Sequence, residues 1–273
     1  MEAFFLPKFL SLTDIIISMK LGFIGTGKIA SSIITGIYSS KIPFTKIFIS
    51  PRNKKIAYKL KKKFNKIVIA KNNQEIANNC NWIFLSITPI VGQKIIKELK
   101  FKPSQTIISL ISTINLAQLK KAIKVKAKIV RAIPLPPISL KKGPVPICPP
   151  NKKVKNFFNK IGTTVEIINE KSSINFWATS GIMAPFYELL RVMTDWLVKK
   201  GVKRNNAQKY ITSLFLALSE DAVANSKKDL KFLVKESQTP KGLNEQGVKE
   251  LTKAGFYKSL EKTLNSIHKR LNK

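Results

Sequence analysis

A chain of 273 residues with 44% hydrophobic content can build one large domain or two modest ones, which excludes a disordered polymer. Its 49 Lys and Arg against 15 Asp and Glu give a net charge of +34, a balance that signals either anionic partners or an AT-rich coding bias toward Lys, Ile and Asn. The lysines form no arginine-rich, aromatic-interleaved stripe of the kind that grips bases, so nucleic acid is not expected as the main partner.

Residues 1–18, MEAFFLPKFLSLTDIIIS, read as a non-conforming extension that the fold does not need. Glu2, Pro7 and Asp14 interrupt its apolar runs, and no small-residue cleavage site follows, so neither a secretion signal nor a membrane span is expected. A cytoplasmic protein with no membrane partner is the expectation. From Met19 the pattern changes. The stretch LGFIGTGKIASSIITG (21–36) reads as a buried strand that enters a helix through a tight turn. Gly25 would make the turn, Gly27 would let backbone approach a pyrophosphate, and Ala30 would let the helix pack closely on the strand. The new helix then offers free N–H groups to phosphate.

Strand and helix alternate from there. KIFIS (46–50) alternates like a strand, NKKIAYKLKKKF (53–64) like an amphipathic basic helix, and KIVIA (66–70) like a further strand. NQEIANNC is a short helix, WIFLSIT (82–88) a buried parallel strand, and VGQKIIKELK a helix. TIISLIS (106–112), LAQLKKAI and KIVRAIP (128–134) continue as strand, helix and strand. The order implies a Rossmann-type, doubly wound parallel sheet over 19–170. Residues 171–273 carry no clear strand. Three long helical patterns fill them, INFWATSGIMAPFYELLRVMTDWLVKKG, NNAQKYITSLFLALSEDAVANS and NEQGVKELTKAGFYKSLEKTLNSIHKRL. The second is apolar on nearly every side around Leu214 to Leu218, and such a helix has to be surrounded. An all-helical dimerisation and substrate domain in a homodimer or higher homo-oligomer is therefore expected.

What the chain lacks narrows the chemistry. Its one histidine, His268, falls in the basic tail, where an exposed helix residue is the ordinary reading. Cys80 and Cys148 have no metal-ligand spacing, and between Met19 and Val165 the only acids are Glu75 and Glu98. A hydrolase triad and a thiolate or histidine metal centre are not expected, nor, in the N-terminal half, a carboxylate pair, and no side chain stands out as the catalytic group. The reactive group must come from a bound cofactor. In dinucleotide folds an acid about twenty residues past the glycines holds the ribose of NAD; here that place reads ISPRN. Arg52, with Ser50 and Asn53 beside it, could hold a 2′-phosphate instead, so NADPH is favoured over NADH, unless Arg52 is one more surface base.

The landmarks GFIGTGKIA, Ser50-Pro51, Asn73, FLSITP, Ser109, VRAIPLPP, TSGIMAP and TPKGLNEQG stand in the order and at the spacing of pyrroline-5-carboxylate reductases, which this chain resembles from Met19 almost to its end. The resemblance implies reduction of a small cyclic imine with NAD(P)H, in proline biosynthesis. It implies cofactor contacts at Gly25, Gly27, Lys28, Ile29, Ser50, Asn73, Thr88 and Pro89, and a substrate turn at Thr239, Gly242, Leu243 and Asn244. Gly242 is expected to take a positive φ, Pro240 to stiffen the entry, and the Asn244 amide to reach a carboxylate or imine nitrogen. The turn can equally be the N-cap of a helix starting at Asn244. The family's Pro-Gly-Gly-Thr-Thr is Pro-Lys-Gly-Leu-Asn here, which leaves open another imine or a keto acid as substrate, or a non-catalytic NADP-binding regulator. Lys199 and Lys200 are alternative proton donors for a hydroxyacid-type reductase, or simply a solvated helix end.

Overall fold

The computed structural model describes residues 19–272, and the 1–18 extension lies outside them. Eight strands form one sheet in the order β3-β2-β1-β4-β5-β6-β7-β8. They are β1 Lys20–Ile24, β2 Lys46–Ile49, β3 Ile67–Ile69, β4 Trp82–Leu85, β5 Thr106–Ser109, β6 Lys128–Ala132, β7 Pro144–Cys148 and β8 Thr163–Glu166. All neighbours run parallel except β6 and β7. The strand order reverses between β1 and β4, and in a doubly wound sheet that switch opens the crevice where ligands bind.

The helices of this part are α1 Lys28–Tyr38, α2 Lys54–Lys63, α3 Asn73–Asn79, α4 Pro89–Glu98, α5 Leu116–Ile123 and α6 Lys152–Phe158. Two apolar layers flank the sheet. One is built on Leu21, Phe23, Ile33, Phe84 and Phe158, the other on Ile24, Ile76, Ile83, Leu85 and Ile107. Phe23 stacks on Phe84 across the β1–β4 pair, with centroids 4.5 Å apart. Gly22 lets α3 lie flat on β1, since a Cβ there would sit 2.4 Å from Ile76 Cγ2.

The sequence reading did not resolve β7, α6 and β8. Pro144 and Pro146 hide β7, because proline argues against a strand. The chain accommodates them through its carbonyls: Pro146 O accepts from Ile133 N at 3.2 Å, while Gly143 O and Ile147 O accept from Thr163 N and Ile167 N. The missing N–H groups leave β6 and β7 with only a short pairing, Arg131 with Cys148 and Ala132 with Ile147.

Two compact units divide after Trp177, inside α7 (Ser173–Ser180). The second unit is helical throughout, with α8 Met183–Lys199, α9 Arg204–Ala224, α10 Leu230–Glu236, α11 Leu243–Lys253 and α12 Phe256–Leu271. The three long patterns are thus five helices, with α10 in addition. Gly181 and Ile182 separate the first pair, and Gly255, at φ 75°, separates α11 from α12. Buried apolar residues of this unit are few in the single chain: Ala178, Ala207 and Ile211. Phe186, Trp196, Tyr210, Leu216, Leu218 and Val223 are exposed. His268 sits half-buried in the last turn of α12 rather than exposed as expected.

Candidate active site

The glycine turn sits at the C-terminal end of β1. Gly25 has φ +102°, and a Cβ there would lie 2.5 Å from Ser86 O, so both backbone sterics and the close approach of the β4 end demand glycine. Around Gly27 an added Cβ would meet nothing within 4 Å, which is open space of the kind a pyrophosphate needs. Gly27 is also the N-cap of α1, with no side-chain cap and no acid in the first turn. The first N–H groups of α1, at Lys28, Ile29 and Ala30, are left for an anion, and the helix dipole favours one. These residues fit a dinucleotide phosphate.

Two serines brace the turn from below. Ser50 Oγ accepts from Gly25 N at 2.9 Å and donates to Asn73 Oδ1 at 2.5 Å; Ser86 Oγ donates to Gly25 O at 2.6 Å. Ser50 is only 3% exposed. Its hydroxyl is engaged within the turn, and Asn73 supports it there. Asn53 is exposed, and its carboxamide oxygen caps α2 by accepting from Ile56 N at 3.2 Å. Arg52 stays exposed, with no hydrogen bond or ion pair to the described residues. It stands one residue ahead of the α2 cap, where cation and helix N-terminus favour the same anion. Thr88, the N-cap of α4, and Pro89, its first residue, are exposed beyond the end of β4.

In the second unit, Thr239 to Gly242 form a turn closed by Gly242 N donating to Thr239 O at 2.8 Å. The expected positive φ at Gly242 is not there. Gly242 is extended at φ −83°, and Lys241 carries the left-handed backbone at φ 63°. Glycine at 242 is needed for space instead, as a Cβ would sit 2.8 Å from Thr239 O. α11 starts at Leu243, one residue before the expected Asn244, with Gly242 as its N-cap. Glu245 Oε2 accepts from Lys241 N at 2.6 Å and its other oxygen pairs with Lys249 at 2.9 Å. Asn244 Nδ2 donates to Ser237 O at 2.8 Å, so this amide fastens the turn to the end of α10 rather than pointing freely at a ligand. Leu243 is exposed.

The sequence reading passed over a buried polar cluster at the far ends of β5 and β6. Arg131, whose side chain is 3% exposed, donates to Glu170 Oε1 at 2.5 Å and to Ser112 O at 2.6 Å, and its guanidinium lies 4.2 Å from the Trp177 ring. Burial pulls its pKa down, and Glu170 opposes that shift. Arg131 Nε and Trp177 Nε1 are buried with no hydrogen-bond partner among the described residues. Each such group costs about 1–3 kcal/mol. The signal in the sequence was an arginine inside the apolar strand KIVRAIP. Both thiols are buried and raised in pKa by burial, Cys80 to about 12, so neither is poised as a nucleophile. Among the described residues no His, Cys, Asp and Glu cluster could hold a metal ion, and no helix is long and apolar enough to cross a membrane.

A glycine turn at the switch point of a mainly parallel sheet, an acid-free β2 end and a helical second unit define a Rossmann-type NAD(P)-dependent oxidoreductase. The family model described as NADP oxidoreductase coenzyme F420-dependent matches residues 20–115, and that described as pyrroline-5-carboxylate reductase dimerisation matches residues 173–273. The chain is 24% identical to pyrroline-5-carboxylate reductase of Pseudomonas aeruginosa, over 92% of this chain and 95% of that one. It is 26% identical to the Synechocystis enzyme of the same name, over 93% and 97%. The solved structure of Plasmodium falciparum pyrroline carboxylate reductase with NADP bound superposes with a TM-score of 0.80, at 23% identity, over 94% of this chain and 98% of that one. Across both units and nearly its whole length, the chain is similar to pyrroline-5-carboxylate reductases.

Proposed function

We propose that this protein reduces 1-pyrroline-5-carboxylate to proline with NADPH. The observation that carries the reading is the full-length match: both units, in order, align with curated reductases of that name over more than nine-tenths of the chain. When bound, NADPH supplies the hydride. Gly27 and the N–H groups opening α1 hold its pyrophosphate, and Ser50 and Ser86 keep that turn rigid. Arg52 and the N-terminus of α2 take the 2′-phosphate, which sets NADPH above NADH. Thr88 and Pro89, at the start of α4, border the nicotinamide end of the crevice.

A protonated cyclic imine is electrophilic at carbon without help from a strong acid. The chain therefore needs only to bind the substrate carboxylate, bring the imine carbon to within roughly 3–3.5 Å of the hydride donor and exclude water. At the start of α11 the N–H groups of Leu243 and Asn244 have no side-chain cap, which suits them to a carboxylate. The helical unit completes its core against a second copy, because so little of its apolar surface is buried in the single chain. Mixing the protein with NADPH and 1-pyrroline-5-carboxylate should lower the nicotinamide absorbance and yield proline. Cofactor binding without turnover on any cyclic imine would identify a regulator instead. Faster reduction of a different imine or keto acid would reassign the substrate, for which Leu243 and Asn244 in place of two threonines provide the reason.

A further inference from the structure

We propose that Arg131 and Glu170 are positioning residues that clamp the loop after β5 in the form that seats the nicotinamide end of the cofactor. The inference rests on the reductase reading above. β5 pairs in parallel with β4, which pairs in parallel with β1, so the loop after β5 rises at the same end of the sheet as Gly25 and Thr88. Arg131 and Glu170 hold this loop at two points. The guanidinium takes the Ser112 carbonyl in its middle, and Glu170 Oε1 accepts both from Arg131 and, at 2.8 Å, from Leu116 N at the start of α5.

Stability alone gives no reason for the arrangement. The buried partnerless atoms of Arg131 and Trp177 make it a poor substitute for an apolar packing of equal volume. A planar fork does what apolar packing cannot: it fixes a carbonyl and a carboxylate at one mutual angle. Trp177, in α7, stacks on that fork and holds its plane.

Glu170→Gln and Arg131→Lys test this against wild type in three measurements. Amide hydrogen exchange over residues 110–116 of the protein without cofactor should quicken ten-fold or more in both variants. The dissociation constant for NADPH should stay within about three-fold, because its tightest contacts lie at the glycine turn and Arg52. The kcat for 1-pyrroline-5-carboxylate should fall ten-fold or more, while its KM moves less than three-fold. Unchanged exchange in folded Glu170→Gln overturns the clamp, and quickened exchange with unchanged kcat overturns its role in the reaction. Should Arg131→Lys fail to fold, Glu170→Gln decides alone, since glutamine keeps the volume but removes the negative charge that holds the guanidinium. Should wild type leave every imine untouched, the reductase reading fails, while the exchange measurement still judges the clamp.

Discussion

Lys241 shows how a single backbone angle can escape sequence reading. It occupies the place of the family's first turn glycine, and it is held at φ 63°. A side chain there costs about 1–2 kcal/mol in the native state, partly offset because glycine would loosen the unfolded chain. Lys241→Gly should therefore stabilise the protein by about 0.5–1 kcal/mol in urea unfolding, without touching the hydrogen bond from its N–H to Glu245. Gly242→Ala should do the reverse, because its Cβ collides with Thr239 O. At the cofactor end, the Arg52 guanidinium is exposed and makes no hydrogen bond or ion pair with the described residues. Arg52→Asp should cost NADPH about 1.5–3 kcal/mol of affinity relative to NADH, roughly a ten- to hundred-fold loss of preference in paired binding titrations. Tighter NADH binding by the wild type would show that the arginine does not choose the cofactor.

Elements differ in how openly the sequence declares them. The α5 helix is read directly from LAQLKKAI, because Asn115 and Gln118 form a capping box at its start and the apolar spacing is helical. β7 is not, because Pro144 and Pro146 remove the donors by which a central strand is recognised. α9 poses the opposite problem. Its apolar residues are plain, but which of them face solvent depends on what covers it. In the single chain Leu216, Leu218 and Val223 lie open, while Ala207 and Ile211 are buried. Assembly follows from that imbalance. Leu216→Glu should leave aggregated or unfolded protein rather than a well-behaved monomer, since a carboxylate enclosed without a partner is costly and the folded protomer depends on its copy. Sedimentation of wild type should give a dimer or larger species, and a stable monodisperse monomer would refute the homo-oligomer.

Over the whole molecule, charge is divided unevenly. Between residues 19 and 165 there are 29 Lys and Arg but 2 acids, whereas from 166 onward there are 19 Lys and Arg and 11 acids. A coding bias toward lysine does not explain why acids thin out in the dinucleotide unit alone. Its field attracts the cofactor, which carries more negative charge as NADPH than as NADH. Stopped-flow association of NADPH should slow ten-fold or more between about 20 and 500 mM salt, as the screening length shrinks, and NADH should slow less. Equal salt dependence for the two would mean that the 2′-phosphate does not feel that field.

The sequence by itself determined the glycine turn, the alternation of strand and helix, and the family resemblance. These depend on local sterics, on residue periodicity and on which side chains exist, all of which a linear string carries. Only the tertiary structure decided what Ser50, Asn73, Lys241, Arg131 and Glu170 do. Ser50 reaches Gly25 across 25 residues and Arg131 reaches Glu170 across 39, so their partners are set by how the strands stack and not by any neighbouring pattern. A hydroxyl near a phosphate loop looks like a ligand in sequence. Folded beneath the turn and excluded from water, it has to satisfy the backbone first.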